Sequence, residues 1–157
     1  MSFFYRKSPD PIILSYQAES AIRERLFEWI EQREYRNPKD SIKAFAESAG
    51  VMEGEVAAYL RTNLDIKYSV LKCLLRIQDA SMLLLLYPHN SLSHICSIIG
   101  YSDINLFLRQ FRICTRHNPG RWHRRIVKKR EAARPKSDER RPVNPTLKIW
   151  CPIYRNY

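Results

Sequence analysis

A ten-residue pattern occurs twice in this sequence, fifty residues apart, and it constrains the fold more than any other feature. Residues 41–50 read SIKAFAESAG, residues 91–100 read SLSHICSIIG, and the two align without a gap. Each copy starts with a serine that can cap a helix, carries a large apolar residue followed by a small one, and ends at a glycine that tolerates a left-handed turn. The repeat predicts two short helices of the same kind, each closed by a tight turn.

A second apolar pattern follows each of the two glycines. Its members are Val51, Val56 and Leu60 in the first copy and Tyr101, Phe107 and Phe111 in the second. A helix, a glycine turn and a second helix make up a helix-turn-helix unit. One such pattern is a weak signal, because many helical proteins contain a glycine turn, whereas two copies in register are more specific. We therefore predict helix-turn-helix units at about residues 41–64 and 91–114.

The rest of the chain also has helical periodicity. The apolar spacing of residues 17–36 predicts one helix, which ends at Asn37-Pro38. The spacing of residues 69–87 predicts a long linker helix between the two units. Its 19 residues would span roughly 28 Å, close to the 34 Å or so between successive major-groove faces on one side of B-DNA. The linker could therefore be a spacer or an ordinary buried helix. The predicted fold class is all-α, with two helix-turn-helix subdomains joined by this linker.

The charge is concentrated at one end of the chain. Residues 121–157 hold 12 basic and 3 acidic residues, whereas the other 120 residues hold 15 and 13. A cationic segment attracts polyanions, of which nucleic acid is the commonest in a cytoplasm. The alternative is a solvated end that only improves solubility.

Several function classes are disfavoured. The four cysteines form no CxxC pair, the longest apolar run (residues 82–87) is far too short for a membrane helix, and no secretory signal is visible. Cys114 and His117 have no recurring zinc-site spacing, and no glycine-rich phosphate loop or nucleophile–base pair occurs. We expect a cytoplasmic, non-enzymatic protein with free thiols, no catalytic residue, no metal, no cofactor and no membrane contact.

The second unit carries a family signature. The sequence of this unit resembles the C-terminal signature of AraC/XylS regulators. The matching features are Ile95 followed by a small residue, the run from Gly100 to Asp103, Phe107, Phe111, and Pro119 followed by Trp122. Residues 71–84 resemble the family's linker helix, Phe45-Ala46 and Gly50 fit its first unit, and residues 19–36 fit the helix before that unit. The similarity therefore covers about residues 19–124. It implies a seven-helix, homeodomain-like DNA-binding domain that reads adjacent major-groove segments and activates transcription, usually by contacting RNA polymerase.

This resemblance suggests a domain plan. Residues 1–18 would be an extended lead-in, residues 19–125 the AraC-type DNA-binding domain, and residues 126–157 a partly disordered basic tail. About 18 residues precede the domain, so we expect the short, single-domain type without an effector-binding domain, acting as a monomer.

The second helix of the second unit holds the candidate site. We expect Ser102 to cap it, with Asp103 favourable at its positive end. Asn105, Leu108, Arg109 and Arg112 lie toward its outer side, and Asn105 and Arg109, four residues apart, can enter one groove. Asn suits an adenine edge and Arg a guanine edge, and the resemblance places both residues at base-contacting positions. Arg109 could instead be a surface cation or a phosphate contact.

A second set of cations follows. Arg124, Arg125 and Lys128 are expected to contact DNA phosphates.

The first unit departs from the family pattern. Its outer positions are Glu53, Gly54, Glu55, Ala57 and Ala58, and Met52 replaces the capping serine. Residues 39–65 hold five acidic and three basic groups, which would repel phosphates. We expect this unit to contribute little base reading and to act as a scaffold or a partner contact. Asp65 and Arg116 stand where the family usually has a helix-terminating glycine.

The sequence predicts a sequence-specific regulator that binds double-stranded DNA and acts as an activator. The alternative is an interaction protein of the same fold that has lost specific DNA reading and binds RNA polymerase or another regulator. A third reading is sequence-indifferent nucleic-acid binding through the tail.

Overall fold

The computed structural model describes residues 13–133, and within this range it is helical without a strand. Seven α-helices and one short 3₁₀ turn (Glu34–Arg36) follow one another along the chain. The helices are α1 (Tyr16–Glu31), α2 (Ile42–Ala49), α3 (Glu53–Leu64), α4 (Tyr68–Leu86), α5 (Leu92–Ile98), α6 (Ile104–Thr115) and α7 (Pro119–Ala132). The all-α prediction is confirmed. No helix among these residues is long and apolar enough to span a bilayer.

Helix α1 is shorter than the sequence indicated. It ends at Glu31, and Arg33 takes a left-handed backbone with φ 56°, so the prediction of a helix to residue 36 was wrong. The chain turns because Tyr35 must reach the core, where its ring meets Trp29 edge-on at a centroid distance of 5.5 Å. Burial of this aromatic ring outweighs the helical hydrogen bonds that a longer α1 would add.

The helices of the repeat begin at capping serines and are followed by left-handed glycines, as the repeat predicts. The hydroxyl oxygens of Ser41 and Ser91 accept from the backbone N–H groups of Ala44 and His94, both at 3.2 Å. Gly50 and Gly100 have φ angles of 67° and 86°, which lie in the left-handed region. The helix-turn-helix geometry of α2–α3 and of α5–α6 therefore follows from local sequence.

The chain divides into two compact units. The first includes residues up to 35 together with 39–72. Its core contains Trp29, Phe45 and Leu60, and one carboxylate organises the polar groups beside it. Asp40 accepts from the Trp29 indole N–H at 3.0 Å and from the Tyr68 hydroxyl at 2.9 Å, and it pairs with Lys72 at 3.3 Å.

Among the described residues, the second unit includes residues 36–38 and 73–133. Its buried residues are Ile77, Ala80, Leu84, Ile95, Cys96, Ile99, Tyr101, Phe107 and Phe111. The segment 36–38 is fixed to this core by polar contacts. Arg36 Nε donates to Asp79 Oδ2 at 2.7 Å, and the buried Arg76 donates to the carbonyl of Asn37 at 3.0 Å.

Helix α4 has the 19 residues expected of the linker, displaced by one position toward the N-terminus. The displacement places Tyr68 at its first position, where burial and the neighbouring Asp40 carboxylate raise the pKa of the phenol.

Candidate nucleic-acid interface

Helix α6 has a buried aromatic face and an exposed face that carries three polar side chains together with Ile113, which is 71% exposed. Phe107 and Phe111 are completely buried, whereas Asn105, Arg109 and Arg112 are exposed. Leu108 is half-buried at the edge of the exposed face. A helix whose apolar stripe is fixed in a core presents its opposite stripe in a defined direction. The geometry thus places the three exposed residues on one side of one helix.

The N-terminus of α6 is capped by a different residue from the one the sequence indicated. Asp103, not Ser102, is the cap, and its carboxylate accepts from the backbone N–H of Asn105 at 2.8 Å. Ser102 lies one residue outside the helix and is exposed, so the prediction that it caps α6 was wrong. A carboxylate at this position also interacts favourably with the helix dipole.

A row of aromatic rings supports α6 from behind. Tyr101 and Phe107 lie 5.7 Å apart between ring centroids, as do Phe107 and Phe111. Trp122 of α7 continues the row at 5.9 Å from Phe111, in an edge-on arrangement. Interlocked rings of this kind fix both the rotation and the tilt of a helix. These contacts pack the buried face of α6 against Tyr101 and Trp122, opposite the exposed stripe.

Helix α7 exposes a cationic face. Arg124, Arg125 and Lys128 are exposed and spaced as neighbours on one helical side. Asn118 caps the helix by accepting from Gly120 N–H at 3.0 Å, and Pro119 occupies its first turn. The helix continues to Ala132, so the first residues of the tail predicted for residues 126–157 are helical, and residues 134–157 lie outside the described residues.

Helix α3, the counterpart of α6 in the first unit, presents different chemistry. Met52 occupies its N-cap with 70% exposure and gives no side-chain cap, and Glu55 Oε2 accepts from the Met52 N–H at 2.9 Å instead. Glu53 and Gly54 are exposed beside it, and Ala57 and Ala58 are half-buried. Around its N-terminus, α3 therefore offers carboxylates and an apolar side chain.

The two helix ends at which the family usually has a glycine, Asp65 and Arg116, both adopt the left-handed backbone. Asp65 closes α3 with φ 53°, and Arg116 closes α6 with φ 59°. The loops thus keep the glycine-like turn although the residues carry a β-carbon.

A polar cluster between α4 and α6 was missed by the sequence analysis. Gln110 Oε1 accepts from the Tyr101 hydroxyl and from the Cys73 thiol, the latter at 3.3 Å. Hydrogen bonds from Cys114 and Tyr101, together with the Arg76 charge, lower the pKa of Cys73 to about 7 against the effect of burial. Burial raises the pKa of the Tyr101 phenol. The only indication of this cluster in the sequence was Gln110, a polar residue that lies three positions after the core residue Phe107 and therefore close to the buried face of the helix.

The described part of the chain contains no group of three or more His, Cys, Asp or Glu residues that could hold a metal ion. His117 is exposed at the end of α6, and Cys114 is half-buried near Cys73.

Comparison with known proteins gives similarity in structure only. No family model matches the sequence, and no curated protein matches it. The C-terminal domain of the two-component response regulator YesN from Fusobacterium nucleatum is 19% identical with a TM-score of 0.58, over 64% of this chain and 97% of that one. The C-terminal domain of AraT, a response regulator from Geobacillus stearothermophilus, is 19% identical with a TM-score of 0.59, over 73% and 88%.

A Listeria innocua protein of unknown function is also similar, at 19% identity and a TM-score of 0.58 over 66% of this chain and 95% of that one. The chain has the fold of these domains. At this level of identity the similarity shows architecture, and the site has to be judged on its own residues.

Proposed function

We propose that the chain is a sequence-specific DNA-binding transcription regulator of the AraC/XylS type, with α6 as the helix that enters the major groove. The observation that carries the proposal is the exposed stripe of α6, which has an amide and two guanidinium groups opposite two completely buried phenylalanines. The similarity in fold to the C-terminal domains of two response regulators supports it.

The stripe has the chemistry for base reading. Asn105 and Arg109 lie one helical turn apart, so both can face the same few base pairs. An Asn amide can bond an adenine edge and an Arg guanidinium a guanine edge, each for about 1–3 kcal/mol of discrimination. Leu108, half-buried beside them, can contact a thymine methyl group. In this proposal Ser102 and Arg112, which are exposed before and along the helix, contact phosphates.

The exposed cations of α7 would add affinity that does not depend on sequence. Arg124, Arg125 and Lys128 are neighbours on one helical side, as phosphate contacts along a backbone require. In this proposal α7 sets the strength of binding and α6 sets the register and the preferred sequence.

The first unit would have another role. The exposed Met52 and Glu53 at the start of α3 oppose phosphate binding and suit a protein partner. We propose that this surface binds RNA polymerase. The protein would then act in the cytoplasm as a monomeric activator. The same observation favours a second candidate function, an adaptor that binds RNA polymerase or another regulator without reading DNA.

Selection from random duplex DNA separates these functions. The purified chain is incubated with the duplex pool at about 150 mM salt, where nonspecific phosphate binding is weakened. A recovered motif that is lost in Arg109→Ala but kept in Arg23→Ala, which removes an exposed arginine of α1, supports the regulator. Binding without a motif indicates phosphate contacts alone, and no binding indicates the adaptor.

A further inference from the structure

Two half-buried cysteines meet between α4 and α6. The Cys73 thiol of α4 donates to Gln110 Oε1 of α6 at 3.3 Å, one helical turn before Cys114, and a hydrogen bond with the Cys114 side chain is the largest influence on the pKa of Cys73. Neither is in a disulfide. Both belong to the second unit, so the contact lies within one packed body.

The surroundings of this pair favour reaction at Cys73. The Arg76 guanidinium and the Tyr101 hydroxyl both favour the thiolate, and the pKa of Cys73 is lowered to about 7. The thiolate is the form of cysteine that reacts with peroxides. Both cysteines are partly exposed, so a small oxidant can reach them.

Cys96 provides the contrast within the same unit. It is buried in the core at 4% exposure, its sulfur lies 3.6 Å from the Tyr101 carbonyl oxygen, and burial raises the pKa of its thiol. A buried cysteine of this kind is chemically inert.

We infer that Cys73 and Cys114 are a site of reversible oxidation by hydroperoxides, which closes a disulfide between α4 and α6. With hydrogen peroxide as the oxidant, the Cys73 thiolate attacks one peroxide oxygen, an S–O bond forms, the O–O bond breaks, and the departing hydroxide takes a proton and leaves as water; an organic hydroperoxide releases an alcohol at this step instead. Cys73 is thereby oxidised to a sulfenic acid and the peroxide is reduced.

The Cys114 sulfur then attacks the Cys73 sulfur. An S–S bond forms, the S–O bond breaks, and hydroxide leaves with the Cys114 proton as a second water. The resolving step brings the two sulfurs to the bonding distance of a disulfide, about 2.05 Å. The product ties α6, which carries the exposed polar stripe, covalently to α4. A thiol reductant restores both cysteines.

Peptide mapping of the full chain tests the site directly and does not depend on DNA binding. The reduced protein is treated with hydrogen peroxide, its remaining thiols are alkylated, and it is digested with trypsin without reduction. The expected product is the peptide of residues 73–76 linked to that of residues 113–116, which disappears when dithiothreitol is added. A Cys73 that stays alkylated, or that links to Cys96, to Cys151 or to a second chain, would overturn the inference.

Two variants test which cysteines form the linked peptide. Cys114→Ala removes the resolving thiol, so Cys73 should accumulate as a sulfenic acid that dimedone traps, with no linked peptide. Cys96→Ala should give the same linked peptide as the wild type. Circular dichroism confirms that each variant is folded, and the wild-type map decides the question even if a variant is not.

Discussion

The backbone of Gly100 lies against the carbonyl oxygen of Arg36, and a β-carbon at position 100 would fall 1.7 Å from that oxygen. Gly100 also has a φ of 86°, in a region that suits glycine. The turn of the second helix-turn-helix unit is thus fixed twice, by its own dihedral angle and by the chain segment packed on it.

Substitution of this glycine should be far more damaging than substitution of its counterpart in the repeat. Gly100→Ala should cost on the order of 3 kcal/mol, because the Arg36 backbone has to move. Gly50→Ala should cost about 1 kcal/mol, since its φ is 67° but a β-carbon there meets nothing within 4 Å. Urea unfolding followed by circular dichroism measures both, and equal losses would contradict the contact.

The left-handed end of α3 offers a stabilising change. Asp65→Gly should raise the free energy of unfolding by about 0.5–1 kcal/mol, because glycine adopts this backbone without a β-carbon penalty. Thr62→Gly, three residues earlier in the regular helix, is the matched control and should lower it by a similar amount. Thermal unfolding of the two variants should shift in opposite directions.

The cap of α6 can be tested by a neighbouring pair. Asp103→Ala should destabilise the protein by about 1 kcal/mol, because the Asn105 N–H loses its acceptor. Ser102→Ala should leave stability nearly unchanged, since Ser102 is exposed outside the helix. Should the serine variant be the less stable of the two in urea, the assignment of the cap would fail.

The two helices proposed to touch DNA should respond differently to substitution. Arg124→Ala should weaken binding to all sequences alike and reduce the slope of log affinity against log salt by about 0.9, the value for one lost phosphate contact. Arg109→Ala should instead lower affinity for the selected motif by about 1–3 kcal/mol and leave nonspecific duplexes less affected. Fluorescence anisotropy titrations at several salt concentrations measure both effects. If the two variants changed the salt slope and the preference for the motif equally, the proposed division of roles between α6 and α7 would be wrong.

Cys73 should be reactive at unusually low pH. Its pKa is lowered to about 7, so the thiolate predominates above that pH and disappears as the pH falls through it. Alkylation by iodoacetamide should follow this curve, measured on the tryptic peptide of residues 73–76. Cys114→Ala removes the largest cause of the shift and should move the curve to higher pH, whereas an unchanged curve would exclude the Cys114 hydrogen bond.

The sequence was informative wherever structure is encoded locally. The capping serines and left-handed glycines of the repeat and the apolar spacing of α6 can be recognised from a few neighbouring residues, and the structure places them as expected, although the contact of Gly100 with Arg36 is not local. The end of α1 was missed because the burial of Tyr35 against Trp29 decides it, and no local pattern carries that information. The choice between Ser102 and Asp103 as cap was missed because either residue suits an N-cap and only the backbone selects one.

The polar cluster behind α6 shows the same limit for the site. Cys73, Tyr101 and Gln110 are spread along the chain, and only the packing of α4 against the second helix-turn-helix unit brings them together. Sequence periodicity placed Asn105 and Arg109 on one face of a helix, but it could not show what holds the opposite side in place.

The arrangement around Asp40 has an evolutionary consequence. Trp29, Tyr68 and Lys72 all direct a polar hydrogen at this carboxylate, so replacing it would leave three donors to be satisfied at once. In natural homologues, substitutions at Trp29, Asp40, Tyr68 and Lys72 should therefore be correlated. A substitution at one of these positions should be tolerated only together with a substitution at another.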